Sequence, residues 1–146
     1  MGEFWPVPDA LTYLAGHWRA ERTVRDLASG DEGRFAGTVV SGPLECGGLL
    51  HRESGAFTGR GVTRPAGRTL RFLPGPGGTA DVRFADGRRF HDLDLTAGRH
   101  VADHPCSADL YRDESTVRDA GHWRTVRRVR GPAKDLELTT GYARVD

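Results

Sequence analysis

A chain of 146 residues with 37% hydrophobic and 28% charged side chains has the composition of one globular domain spanning 1–146, neither disordered nor fibrous. Its 21 Lys plus Arg against 20 Asp plus Glu leave a net charge near +1, without the basic excess on which nucleic-acid binding draws. No apolar run approaches the ~20 residues of a membrane-spanning helix and no signal peptide opens the chain, so a cytoplasmic protein with neither membrane nor nucleic-acid partners is expected.

The chain begins with one short helix: Asp9 caps it, Leu11, Leu14 and Ala15 share a face, and Gly16 ends it. Two turns cannot stand alone, so this helix is expected to plug something larger. After Gly16 the period becomes two. Trp18, Ala20, Arg22 and Val24 alternate with Arg19, Glu21, Thr23 and Arg25, and a second alternation starts at Phe35, Gly37 and Val39. Further strands are expected over 48–57, 69–73, 79–85, 88–95, 99–111, 122–130 and 135–145. Turn signals such as Pro74-Gly-Pro-Gly-Gly78 and the Asp86-Gly87 pair separate them. The 20 Gly and 8 Pro suit this all-β reading: a single antiparallel up-and-down barrel or sandwich of about 8–10 short strands, with the helix closing one end. The pentapeptide Ala15-Gly-His-Trp-Arg19 recurs as Ala120-Gly-His-Trp-Arg124 without a fixed period, and reads as a coincidence of strand-start chemistry rather than a repeat fold.

Alternation assigns a face to each polar residue. In the last strand Leu136, Leu138, Thr140, Tyr142 and Arg144 share the aliphatic face. Arg22 shares Trp18's face, His51 and Glu53 share that of Leu49 and Phe57, and His91 goes with Leu93 and Leu95, opposite Phe90. His104 and Cys106 share a side, and a bulge near 105–108 would return Asp109 and Tyr111 to it. Arg22, His51, Glu53, His91, His104, Cys106, Tyr111, Tyr142 and Arg144 are therefore expected inside. Unpaired, so many buried polar groups at roughly 1–3 kcal/mol each would consume a typical stability. Either they pair with one another or they line a wet cavity, and an eight-strand barrel can hold one small ligand.

Gly16-His17-Trp18 after a short helix, with Arg144 in the last strand, resembles the Gly-x-Trp signature and closing Arg of the lipocalin-like (calycin) superfamily. The ordered set Phe90-His91, His104-Pro-Cys106, Asp109-Leu-Tyr111, Gly131-Pro-Ala-Lys134-Asp135 and Thr140-Gly-Tyr142-Ala-Arg144 is similar to a bacterial and fungal lipocalin-like family of unknown function. The resemblance implies a barrel whose bottom is closed by Arg144 packed across Trp18, a structural pair. A stacked guanidinium and indole are worth ~0.5–2 kcal/mol.

The expected function is binding of a small polar or aromatic-acid metabolite in an ionisable lumen. Arg22 is the anchor, and His51, Glu53, His91, His104, Cys106, Tyr111 and Tyr142 supply directional contacts. One alternative is an acid/base isomerase, cyclase or lyase in which Glu53, with a pKa raised by burial, or His91 removes a proton while Arg22 or a tyrosine such as Tyr111 steadies the oxyanion. Another is haem or metal binding through His51, His91 or His104, although no metal-binding motif is present and no metal or cofactor is expected. Cys46 and Cys106 are too few for a disulfide framework. Lys134, the single Lys beside 20 Arg, reads as a solvated turn residue or a Schiff-base lysine. Arg124, Arg127, Arg128 and Arg130 read as a solvated strand edge.

Overall fold

The computed structural model describes residues 3–145, except the side chain of Cys106. Asp9 caps the helix as its position demands: its carboxylate accepts from the backbone N–H of Leu11 (3.1 Å) and Thr12 (3.3 Å). The helix α1 is a single five-residue stretch, Ala10–Leu14, with Ala10 and Leu14 buried. Gly16 turns the chain into the first strand at φ +108°, a conformation open to glycine alone at little cost. No helix among the described residues is long and apolar enough to cross a membrane.

Ten strands follow: β1 Gly16–Asp26, β2 Glu32–Pro43, β3 Leu49–Gly59, β4 Val62–Pro74, β5 Ala80–Phe84, β6 Arg89–Leu93, β7 Arg99–Cys106, β8 Asp109–Asp119, β9 His122–Arg130 and β10 Asp135–Val145. They form one antiparallel sheet in the order β6-β5-β4-β3-β2-β1-β10-β9-β8-β7. The meander curls until β6 and β7 lie side by side without a ladder, which makes a nearly closed up-and-down barrel. Glycines let β2 and β3 approach closely on the inward face. A Cβ on Gly37 would lie 2.4 Å from the Ser54 carbonyl oxygen, and one on Gly55 2.2 Å from that of Ala36. Only glycine allows this approach.

At the helix end the N-terminal segment ties the open seam: Val7 N–H donates to Leu95 O (3.0 Å) and Trp5 N–H to Val117 O (2.8 Å). At the other end the wall is incomplete. β5 pairs with β4 only from Leu70 to Pro74, so Val62–Gly67 has a ladder on one side alone. Pro65, which lacks an N–H, sits in this half-paired stretch.

Three sequence expectations are corrected. The run 99–111 is a hairpin, β7 and β8 joined at Ser107-Ala108 with Ser107 at φ +58°. β8 then continues through 112–119, where inward Asp113 and Ser115 hide the apolar alternation. β4 likewise begins at Val62 rather than at 69. Phe90 is buried and the His91 side chain is largely covered with it, because the β5–β6 register shifts between Val82 and Arg83 and breaks strict alternation.

Candidate functional site

The helix end is sealed. The Arg144 guanidinium lies 4.1 Å from the Trp18 ring centroid and donates to the carbonyls of Tyr13 (2.7 Å), Ala15 (3.1 Å) and Ala120 (3.2 Å). Trp18 Nε1 donates to Leu14 O (3.0 Å) and its ring meets Trp123 edge-on. The recurring pentapeptide therefore has a structural consequence: its two copies each give the same arginine one carbonyl and set their tryptophans against each other. Tyr13, whose pKa burial pushes up to about 12, donates its hydroxyl to Asp119 O (2.8 Å).

The middle of the barrel holds a network around Glu53, whose side chain is wholly buried. β1 brings Arg22, whose Nη2 lies 2.9 and 3.1 Å from the two carboxylate oxygens and whose Nε donates to Thr140 Oγ1 (2.7 Å). β10 brings the Tyr142 hydroxyl (2.9 Å) and β4 brings Arg68 Nη2 (3.3 Å). His51, two residues away on the same face of β3, places Nε2 3.0 Å from Glu53 and Nδ1 3.2 Å from Ser41 Oγ. Since a carboxylate only accepts, Nε2 carries the hydrogen and Nδ1 accepts from Ser41. Burial alone pushes the Glu53 carboxyl up, but the His51 hydrogen bond and the Arg68 and Arg22 guanidinium groups outweigh it. The group is held well below the usual carboxylate range, opposite to the raised pKa expected of it as a base. Burial lowers His51, which stays neutral.

A second cluster lies toward the β6/β7 seam. Asp113 Oδ1 accepts from Arg127 Nε, 2.6 Å away. Its Oδ2 has no hydrogen-bond partner and stands 3.9 Å from the Nε2 atoms of both His91 and His104. Phe90 presses edge-on against both imidazoles and faces the Tyr111 ring at 5.9 Å, while Arg127 lies over it at 4.6 Å. Desolvation lowers the pKa of both histidines.

Between the clusters is a void of about 30 Å³, lined by His51, Arg68, His91, Asp113, Trp123 and Tyr142 among others; that is room for a water molecule or a group of similar size. Toward the open end a cleft of about 380 Å³ lies among Val24, Phe57, Val62 and Leu136, with Asp26, Arg60 and Arg64 around it. A groove of about 640 Å³ crosses the outer face of β1, β10, β9 and β8, where Arg19, Arg118 and Arg124 alternate with Glu21 and Thr116.

The expected inward residues thus fall into two neighbouring sets: Arg22, His51, Glu53 and Tyr142 in one, His91, His104 and Tyr111 in the other. The Cys106 side chain lies outside the described residues. Among the described residues no group of three His, Cys, Asp or Glu side chains could hold a metal. Arg127 corrects the reading of its segment as a solvated edge. β9 is paired on both sides, and Arg127 shares the inward face of Trp123 and Thr125. Arg128 pairs with Asp135, and Lys134 Nζ sits 3.3 Å from Asp109 in the β9–β10 turn. Sequence reasoning missed Arg68, Asp113 and Ser41, and it placed Thr140 on the inward face of the last strand without giving it a part in the site. Extending the parity of Tyr111 by two residues would have found Asp113.

The model of a family of unknown function, DUF6314, matches residues 14–144. The chain belongs to the DUF6314 family. No curated protein matches it. Among solved structures, the S-type phycobiliprotein lyase CPES from Guillardia theta shares the fold with a TM-score of 0.68 at 8% identity, over 93% of this chain and 90% of that one. The barrel EF1p2_mFAP2b bound to DFHBI aligns with a TM-score of 0.53 at 13% identity, over 94% and 98% of the two chains. A DUF3598-family protein of unknown function from Nostoc punctiforme gives 0.53 at 12%, over 98% of this chain and 51% of its own. These likenesses show that the DUF6314 chain shares its barrel fold with these proteins.

Proposed function

We propose that this barrel binds a small organic acid, with the acid group in the lumen and the body in the cleft at the open end. The observation that carries this reading is a charge count. The described centre of the barrel holds three guanidinium groups, Arg22, Arg68 and Arg127, against two carboxylates, Glu53 and Asp113. With the histidines neutral, one positive charge is left uncompensated, and an unpaired charge away from bulk water is costly. Arg68 is the group with capacity to spare. Its Nε lies 3.2 Å from Glu53 but has no aligned partner, and 28% of its side chain is exposed where β5 no longer covers β4. A carboxylate there would gain charge-assisted hydrogen bonds, and the 380 Å³ cleft is within the size range of small-molecule sites. That a barrel of this fold is bound to DFHBI supports the use of such a lumen for a ligand.

The test compares benzoate, benzamide and benzylamine by thermal shift and calorimetry. Benzoate is expected to raise Tm and the neutral and cationic analogues to leave it unchanged. Arg68→Met should be at least as stable as the parent, since it removes the surplus charge while leaving the Arg22–Glu53 pair, and should abolish the benzoate effect. No shift with benzoate, or a shift that persists in Arg68→Met, would overturn the proposal.

A further inference from the structure

The second cluster says more about the ligand, on the assumption that the lumen binds an acid as proposed above. Asp113 Oδ2 and the Nε2 atoms of His91 and His104 stand together with no hydrogen bond among them. His91 Nδ1 lies 2.7 Å from the Asp92 carbonyl and so carries the ring hydrogen, leaving Nε2 a bare lone pair. His104 Nε2 is buried and has no hydrogen-bond partner. Both Nε2 atoms stand 3.9 Å from Asp113 Oδ2, a carboxylate oxygen that is itself buried and unpartnered. Buried acceptors left in this way cost roughly 1–3 kcal/mol each, so the arrangement calls for a donor.

The separations decide what kind. A metal with bonds of about 2.1 Å would span 3.9 Å only at a ligand–metal–ligand angle of about 136°, well beyond the tetrahedral value. A hydrogen-bond donor with contacts of about 2.9 Å spans it at an ordinary bent angle. Charge decides the rest. Asp113 is already neutralised by Arg127 and the lumen carries a positive excess, so an ammonium would add a second buried surplus charge. The void that His91 and Asp113 line, with His104 behind Asp113 Oδ2 rather than on its wall, is also bordered by two donors without partners, Arg68 Nε and Trp123 Nε1, placed to meet the oxygens of an acid.

We propose that the Asp113, His91 and His104 acceptors recognise a neutral N–H on the bound acid, which narrows the ligand class to small acids bearing a pyrrole-type or lactam N–H. The void admits only the N–H edge of such a ring, and the ring itself enters beside Arg68, where the barrel wall is cut away.

Pyrrole-2-carboxylate and furan-2-carboxylate differ in the N–H and little else, and calorimetry on the full chain compares them. The pyrrole acid should bind at least tenfold more tightly. In nitrogen-15 spectra of the imidazoles it should move the Nε2 resonances of His91 and His104, which the furan acid leaves in place. His104→Phe keeps a planar ring against Phe90 and should erase most of the preference without weakening furan-2-carboxylate. Equal affinities overturn the N–H assignment and leave the acid reading standing, as expected if a water molecule occupies the void with either acid. Binding of neither overturns both. A preference that survives in His104→Phe, or that leaves both Nε2 resonances unmoved, overturns the placement at these acceptors.

Discussion

Glu53 and His51 sit two residues apart on β3 and share one hydrogen bond, yet their titrations oppose folding stability in different pH ranges. For His51, burial outweighs the pull of Glu53 and lowers its pKa from 6.5. The unfolded chain therefore binds a proton near pH 6.5 that the folded protein refuses. By linkage, stability is full above that pH and falls as the pH drops below it, by up to about 1.4 kcal/mol per pH unit for one such histidine. Glu53 acts lower: its depressed folded pKa makes its contribution complete above about pH 4.5 and lost as the pH falls further. Urea denaturation between pH 7.5 and 5.5 should show stability decreasing with acidity. His51→Gln, which keeps a side-chain donor toward Glu53 but cannot titrate, should make that decrease shallower and leave the share of His91 and His104. An unchanged slope would mean that His51 is already protonated in the folded protein.

Among the elements, the five-residue α1 is far below the length at which a helix persists in water, and what holds it is the last strand. Arg144 on β10 reaches two carbonyls at its C-terminal end, Tyr13 and Ala15, and a third in the β8–β9 turn, Ala120. Arg144→Met keeps an unbranched stem over Trp18 and removes all three hydrogen bonds, which should cost about 1–2 kcal/mol. The loss should show first as faster exchange of the α1 amides, and a variant as stable as the parent with unchanged exchange would deny the closure role. This contact was legible in the sequence because both partners keep strict register on long strands. The same holds for Arg22, His51, Glu53 and Tyr142, which alternate with aliphatic residues on their own strands. Arg68 and Asp113 were not legible. Their stretches, 62–68 and 112–119, place arginine, aspartate or serine where apolar residues would have marked the inward face. Strand pairing there is set by neighbours rather than by local pattern.

For the whole molecule, the informative feature is where the barrel fails to close. A meander of ten strands joined β10 to β1 has its two free edges at β6 and β7, in mid-chain rather than at the termini. Across that seam the described contacts are rings rather than ladders: Phe90 and His91 from β6 against His104 from β7. The N-terminal segment stitches one end through backbone bonds from Val7 to Leu95 and from Trp5 to Val117, while the other end opens toward Arg68. Local openings follow the fewest protected hydrogen bonds, so the β5–β6 hairpin is the expected hinge of ligand entrance. Hydrogen exchange should find the amides of Ala80–Leu93 opening far more readily than those of β1 and β10, which are paired on both sides along their length. A saturating acid ligand that bridges Arg68 and the seam histidines should slow exchange in β6 and β7 in particular, because it supplies the cross-seam bonds the chain lacks. Uniform protection around the barrel, or ligand-induced slowing confined to β1 and β10, would place the flexible wall elsewhere.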